Sequence, residues 1–196
     1  MARVITNHLE IERRFLVDGR GERPWQEQAE VVAIEQHYLR VEELVTVGQT
    51  LTLNGITLAS LSDEEFQHWS EKSGWSVRLR AWNDRWILSA KSKQNKDTAI
   101  ELEWGVEASV AAAILGLGPY PSVQKTRYCW VGDDGKTWEV DEFEGTLAGI
   151  VLAEIELDST DEVFTRPAWL GHEITGLRSW SNSALASMLT RRDEAR

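Results

Sequence analysis

Apolar and polar residues alternate with a period of two in eight separate segments of this chain, and that periodicity admits few folds. The segments are Leu9–Val17, Val31–Val41, Ser76–Trp82, Trp86–Lys93, Ala99–Trp104, Val123–Trp130, Thr137–Phe143 and Leu152–Leu157. Successive side chains of a strand point to opposite faces, so each segment reads as a strand with two unlike faces. Asn83-Asp84 and Gly132-Asp133-Asp134-Gly135 lie between consecutive segments and read as hairpin turns. Helical spacing is rarer. It marks Glu107–Leu117, stopped by Gly118-Pro119, a short helix over Asp63–Lys72, a short turn at Asp161–Phe164 and a C-terminal helix over Ser181–Arg192. Glu42–Trp75 alternates poorly and reads as an insertion between two strands of a single domain spanning 1–196.

The two faces differ in a systematic way. One face carries Glu10, Glu12 and Arg14 on the first strand, then Arg78 and Arg80, Lys91 and Lys93, Glu101 and Glu103, Lys125 and Arg127, Glu139 and Asp141, and finally Glu154 and Glu156. The opposite face carries Ile11 and Phe15, Val77 and Leu79, Ile100 and Leu102, Tyr128 and Trp130, Trp138 and Val140, then Ala153, Ile155 and Leu157. For one antiparallel strand the ordinary explanation is a solvated polar face. Here charge is segregated by strand, and the few helices need an apolar surface to cover, which the uncharged faces supply. The predicted fold is therefore mainly β, a closed eight-stranded antiparallel barrel with a few flanking helices and a charged interior. Closure also removes the free edges that so many strands would otherwise expose.

Desolvated charges are costly unless paired, so such an interior implies a wet, ion-binding tunnel. Carboxylates suit hard cations such as Mg²⁺ or Mn²⁺, and lysine and arginine suit phosphate oxygens. Together they point to a metal-chelated polyphosphate. The rest of the composition limits the alternatives. Cys129 is the single cysteine and the four histidines are scattered, which excludes an internal disulfide and a thiolate zinc site. A net charge of −11 disfavours nucleic acid and anionic membrane as partners. No apolar run approaches the roughly 18 residues of a membrane span, and nothing resembles a signal peptide, so the expected compartment is the cytoplasm. The ten tryptophans read as core and strand filling rather than base-stacking platforms.

These residues resemble the CYTH superfamily, the triphosphate tunnel metalloenzymes. The family's first-strand hallmark, E-x-E-x-K, reads Glu10-Ile11-Glu12-Arg13-Arg14, with arginine in place of lysine. In family order follow Gln36-His37-Tyr38-Leu39, Arg78-Leu79-Arg80, Lys91, Glu101-Leu102-Glu103, Lys125-Thr126-Arg127-Tyr128, Glu139-Val140-Asp141-Glu142-Phe143 and Glu154-Ile155-Glu156. Asn182-Ser183-Ala184-Leu185-Ala186 is similar to the closing helix. Besides Arg14, two places depart: Arg178-Ser179-Trp180-Ser181 retains one cation of a basic C-terminal segment, and Thr98-Ala99 stand where an arginine is frequent.

The resemblance implies hydrolysis of a phosphoanhydride bond in inorganic tripolyphosphate or a similar triphosphate, with Mg²⁺ or Mn²⁺. Phosphate binding falls to Arg14, Arg78, Arg80, Lys91, Lys125, Arg127 and Arg178. Glu10, Glu12, Glu101, Glu103, Asp141, Glu154 and Glu156 are the metal ligands. Arg14, Tyr38 and Lys125 are assigned to catalysis, with Tyr38 hydrogen-bonding a terminal phosphate. Two other readings stay open: a class IV-type adenylyl cyclase, and a non-catalytic polyphosphate- or nucleotide-binding module. The expected partner is a small-molecule triphosphate. Oligomeric state is not set by the sequence, and a homodimer is one option.

Overall fold

A computed structural model describes residues 8–194. Strands β1 (Leu9–Val17), β2 (Glu30–Tyr38), β6 (Ser76–Trp82), β7 (Arg85–Lys93), β8 (Thr98–Val106), β9 (Ser122–Val131), β10 (Thr137–Phe143) and β11 (Val151–Leu157) lie in the order β11-β10-β9-β2-β6-β7-β8-β1. An antiparallel pairing of β1 with β11 closes the ring. These eight strands are the eight alternating segments, with boundaries shifted by up to three residues. The hairpin turns form as predicted. Asn83, between β6 and β7, adopts φ 53°, a left-handed conformation that asparagine tolerates better than most residues. Gly135 takes φ 78° between β9 and β10.

Two features were not legible in the alternation. The insertion contains β3 (Leu44–Val47), β4 (Thr50–Leu53) and β5 (Ile56–Ser60), a separate three-stranded sheet, followed by α1 (Asp63–Glu71). A capping box starts α1: Glu65 N–H donates to Ser62 Oγ, and Ser62 N–H donates to the Glu65 carboxylate. A short strand, β12 (Leu170–Glu173), adds to β1 near Phe15 and Val17. The segment at Asp161–Phe164 forms a turn at Asp161 and is otherwise irregular, not helical.

The outward apolar faces are covered in two places. Val77, Leu79, Leu88, Ala90, Ile100 and Leu102 pack under Leu51, Leu53 and Leu58 of the small sheet and under Ala111 and Ile114 of α2 (Ala108–Leu115). Ile11, Phe15, Trp138, Val140, Ala153 and Ile155 pack with Trp25, Phe164 and Trp169. Full burial of each such aliphatic or aromatic side chain contributes about 1.5–3 kcal/mol. With these faces covered, the opposite faces must line the barrel.

That lining is not charged throughout. Residues directly opposite in an antiparallel ladder share a face, and Leu16 pairs with Leu152 two places from the pair Arg14 and Glu154. Leu152, Phe143, Val123 and Tyr38 gather with Leu185 and Ala186 of α3 (Asn182–Glu194) in one buried cluster. One end of the barrel is thus apolar and covered by the C-terminal helix. The sequence-based expectation of a charged interior holds for the middle and the other end except along β2, whose inward Val32 and Ile34 are apolar and buried.

Candidate functional site: a charged tunnel

The charged side chains named from the sequence meet inside the barrel in a continuous network. Lys91 Nζ sits between the first-strand carboxylates, paired with Glu10 and 3.0 Å from Glu12 Oε2. Arg14 lies 3.3 Å from Glu12 and 2.6 Å from Glu154, and also donates to the Trp180 carbonyl at 3.4 Å. The Arg14–Glu154 contact is a close ion pair rather than an aligned hydrogen bond, since Arg14 Nε and Glu154 Oε1 lack hydrogen-bond geometry. Arg127 donates to both Asp141 oxygens at 2.7 and 2.8 Å, pairs with Glu139, and lies 3.6 Å from Glu154. Lys125 pairs with Asp141. On the facing wall Arg78 reaches Glu101 at 3.0 Å, and Arg80 lies 3.9 Å from Glu103, which accepts from Ser89 at 2.7 Å.

The register explains these pairings. Arg14 stands opposite Glu154, Asp141 opposite Arg127, and Lys91 opposite Glu101, so acidic and basic side chains meet across three of the strand seams. Elsewhere like charges adjoin: Glu139 stands opposite Glu154 across β10 and β11, and basic β6 lies beside basic β7.

Protonation equilibria follow from burial and neighbours. Burial works against the Glu154 carboxylate, but Arg14, Arg127 and Lys125 overcome it and hold its pKa well below the usual carboxylate range. Asp141 is lowered in the same way by Arg127 and Lys125 against its burial, and Glu101 by Arg78 and Lys91. Glu10 moves the other way. Burial, reinforced by Glu101 and Glu12, outweighs Lys91 and raises it well above its ordinary value. Burial also raises Glu139 and Glu103. Lys91 is raised because Glu10 and Glu12 outweigh its burial, whereas burial lowers Lys125 despite Asp141. Burial pushes the Tyr38 phenol up to about 12.

Not every assigned residue enters the network equally. Glu156 shares a face with Glu12 but is exposed at the end of β11. Arg178 is exposed on a 3-10 turn beside the covered end. There, burial lowers the pKa of Lys93, and the positive charges of Arg14, Lys91 and Arg178 add to the effect. Gln36 and Ser89 were not singled out as site residues, yet both are fully buried in the lining. Parity marked Ser89, which shares the face of Lys91, but not Gln36, whose face on β2 otherwise carries Val32, Ile34 and Tyr38.

The fit to a divalent cation can be judged from the donors present. Among the described residues no three His, Cys, Asp or Glu side chains converge as a ready-made metal cluster. The carboxylates face their cations in ones and twos. Glu10 and Glu12 already hold a cation between them, the Lys91 ammonium. Two carboxylates completed by phosphate oxygens and water match the way Mg²⁺ is commonly held, so the donor set fits. The fit to phosphate is equally direct. Arg78 Nε and Arg80 Nε are buried donors without a hydrogen-bond partner, and each would be satisfied by an anion's oxygen.

Comparison with known proteins agrees with this geometry. No protein-family model matches the chain. An inorganic triphosphatase of Acetivibrio thermocellus is 40% identical over 111 residues, which is 56% of this chain and 70% of that protein. An inorganic triphosphatase of Nitrosomonas europaea is 41% identical over 112 residues, covering 56% and 74%. The crystal structure of the inorganic triphosphatase NE1496 superposes with a TM-score of 0.51 at 27% identity, covering 90% of this chain and 93% of the other. A closed eight-stranded tunnel, its charged lining and relatives matched over more than two thirds of their own length lead to one assignment: the chain belongs to the CYTH family of triphosphate tunnel enzymes.

Proposed function

We propose that this chain is a metal-dependent triphosphatase that hydrolyses a phosphoanhydride bond of inorganic tripolyphosphate. The observation that carries the reading is the pair of buried, unpartnered donors, Arg78 Nε and Arg80 Nε, in a tunnel otherwise lined by matched charges. The names of the relatives support the substrate class.

The charge balance supports metal dependence. Arg14, Arg78, Arg80, Lys91, Lys125 and Arg127 face Glu10, Glu12, Glu101, Glu103, Glu139, Asp141 and Glu154, so the tunnel by itself offers a triphosphate little net attraction. Mg²⁺ or Mn²⁺ would be held by Glu10, Glu12 and Glu154, with Glu156 at the rim and Glu101, Glu103 and Asp141 as further ligands. When bound, it supplies charge neutralisation and polarises phosphoryl oxygens. The basic residues then clamp the phosphate chain and offset charge developing on the leaving phosphate. Arg14 keeps its proton at any working pH, so its contribution is electrostatic. Lys125, with its pKa lowered by burial, can pass a proton to the departing oxygen. Tyr38, with its pKa at about 12, stays protonated and donates to the terminal phosphoryl group. Arg178, exposed beside the covered end, adds positive charge there. The proposed partner is a small-molecule triphosphate rather than nucleic acid or membrane, in a cytoplasmic setting.

Purified protein is expected to release orthophosphate from tripolyphosphate only with Mg²⁺ or Mn²⁺. Glu154→Ala is expected to lower kcat by about 10² or more, with its circular dichroism unchanged. Turnover without a divalent cation, or an unimpaired Glu154→Ala enzyme, would falsify the proposal.

A further inference from the structure

Gln36 sits in the middle of this charged lining, and the reaction outlined above gives it no task. It lies on β2, two residues before Tyr38, opposite Arg80 on β6 and Val123 on β9. It is 1% exposed. A buried amide must be hydrogen-bonded, and here its Nε2 donates to the Tyr38 hydroxyl oxygen at 2.8 Å. Tyr38 itself stands opposite Arg78, whose guanidinium also interacts with the phenol oxygen.

Both neighbours are donors at this contact. A guanidinium has no acceptor, and the Gln36 amide presents its N–H₂ group. With the Gln36 amide donating to its oxygen and only donors on the neighbouring Arg78 guanidinium, the phenol cannot give its own proton to either. That proton must go to a third group, an acceptor in the tunnel. The Gln36 bond engages one lone pair of the oxygen and so restricts the torsion of the O–H bond.

We propose that Gln36 is a positioning residue that fixes the Tyr38 hydroxyl as a hydrogen-bond donor to the terminal phosphoryl oxygen of a bound triphosphate. The inference rests on the triphosphatase reading. It goes further by assigning a direction to one hydrogen bond and a residue that enforces it. A phenol free to rotate would spend part of its time donating elsewhere, and the preorganised donor would be lost.

The test compares Gln36→Met, Gln36→Glu, Tyr38→Phe and the two corresponding double variants by steady-state kinetics on tripolyphosphate. Gln36→Met keeps the volume and adds no charge. Its kcat is expected to fall about tenfold with KM within about threefold, the pattern of a lost transition-state interaction. Gln36→Glu would accept the phenol proton and reverse the bond, so its kcat should approach that of Tyr38→Phe. In the Tyr38→Phe background Gln36→Met should not lower kcat further, because the group being oriented is gone, and this Met pair is the one that decides additivity. A purely packing role predicts losses that multiply in the double variants. Thermal melts identify any variant that fails to fold, and the Met series stands without the Glu series.

Wild-type kcat in Gln36→Met beside an impaired Tyr38→Phe overturns the proposal. So do multiplying losses. If Tyr38→Phe keeps full turnover while Glu154→Ala is inactive, Tyr38 has no such role and the proposal falls, but the tunnel hydrolase stands. If the wild-type protein turns over no tripolyphosphate, both fall together.

Discussion

Replacing Asp141 by asparagine tests whether the tunnel's matched charges hold the barrel together. Asp141 is fully buried, accepts two hydrogen bonds from Arg127 at 2.7 and 2.8 Å and pairs with Lys125, itself 2% exposed. Asparagine keeps the shape and loses the charge. Arg127 keeps contacts to Glu139 and to Glu154, whereas Lys125 loses its ion-pair partner. Breaking a buried pair by removing one charge costs about 3–5 kcal/mol, because the remaining ion stays desolvated. For a chain of this size each kcal/mol shifts Tm by roughly 2–4 °C, so Tm should fall by about 6–20 °C. The residual amide hydrogen bonding and the remaining partners of Arg127 favour the lower part of that range. Thermal melts followed by tryptophan fluorescence would measure it. Asp18→Asn, in the exposed pair with Arg20, is the control and should leave Tm unchanged. A drop below about 2 °C for Asp141→Asn would refute the reasoning: Lys125 would then be accommodated without its partner.

The Lys91 ammonium occupies the space between Glu10 and Glu12, so Lys91→Met should tighten Mn²⁺ binding in the absence of triphosphate by roughly tenfold, read by calorimetry. Unchanged or weaker Mn²⁺ binding would place the metal elsewhere. Glu173 accepts both Arg13 nitrogens at 2.6 and 2.7 Å; that bonding, outweighing burial, holds its pKa down at about 2. Because the folded-state pKa is depressed, the unfolded chain binds more protons between pH about 2 and 4.5. The stability advantage of wild type over Glu173→Gln should be complete above pH about 4.5 and vanish as pH falls towards about 2. Its size should be about 1 kcal/mol, since solvent still reaches both partly buried side chains. Melting curves of both proteins between pH 2 and 7 check this, and an advantage that grows on acidification would reverse the sign of the argument.

The chain's alternation determined which residues share a face. That is a local property, since side chains one apart point oppositely whatever the strand pairs with. The inward positions of Glu10, Glu12, Arg14, Arg78, Arg80, Lys91, Glu101, Lys125, Arg127, Asp141 and Glu154 were therefore legible before any contact was known, and closure followed from the need to cover the other face. Depth along the tunnel was not legible. Glu154 and Glu156 have the same parity, yet one is buried in the network and the other is exposed, because depth depends on register and on where the barrel ends. Partner choice was likewise settled only by tertiary structure: β2 lies between β9 and β6, so Gln36 meets Arg80 across a gap of more than forty residues. The apolar end beneath α3 depended on a helix that no local pattern of β9, β10 or β11 announces. The small sheet of the insertion and β12 are four- and five-residue strands, too short for alternation to declare itself. What the sequence encodes residue by residue is the face of each side chain. Which charges neutralise one another, and which donors are left to meet a phosphate, is decided by long-range pairing that only the closed barrel brings about.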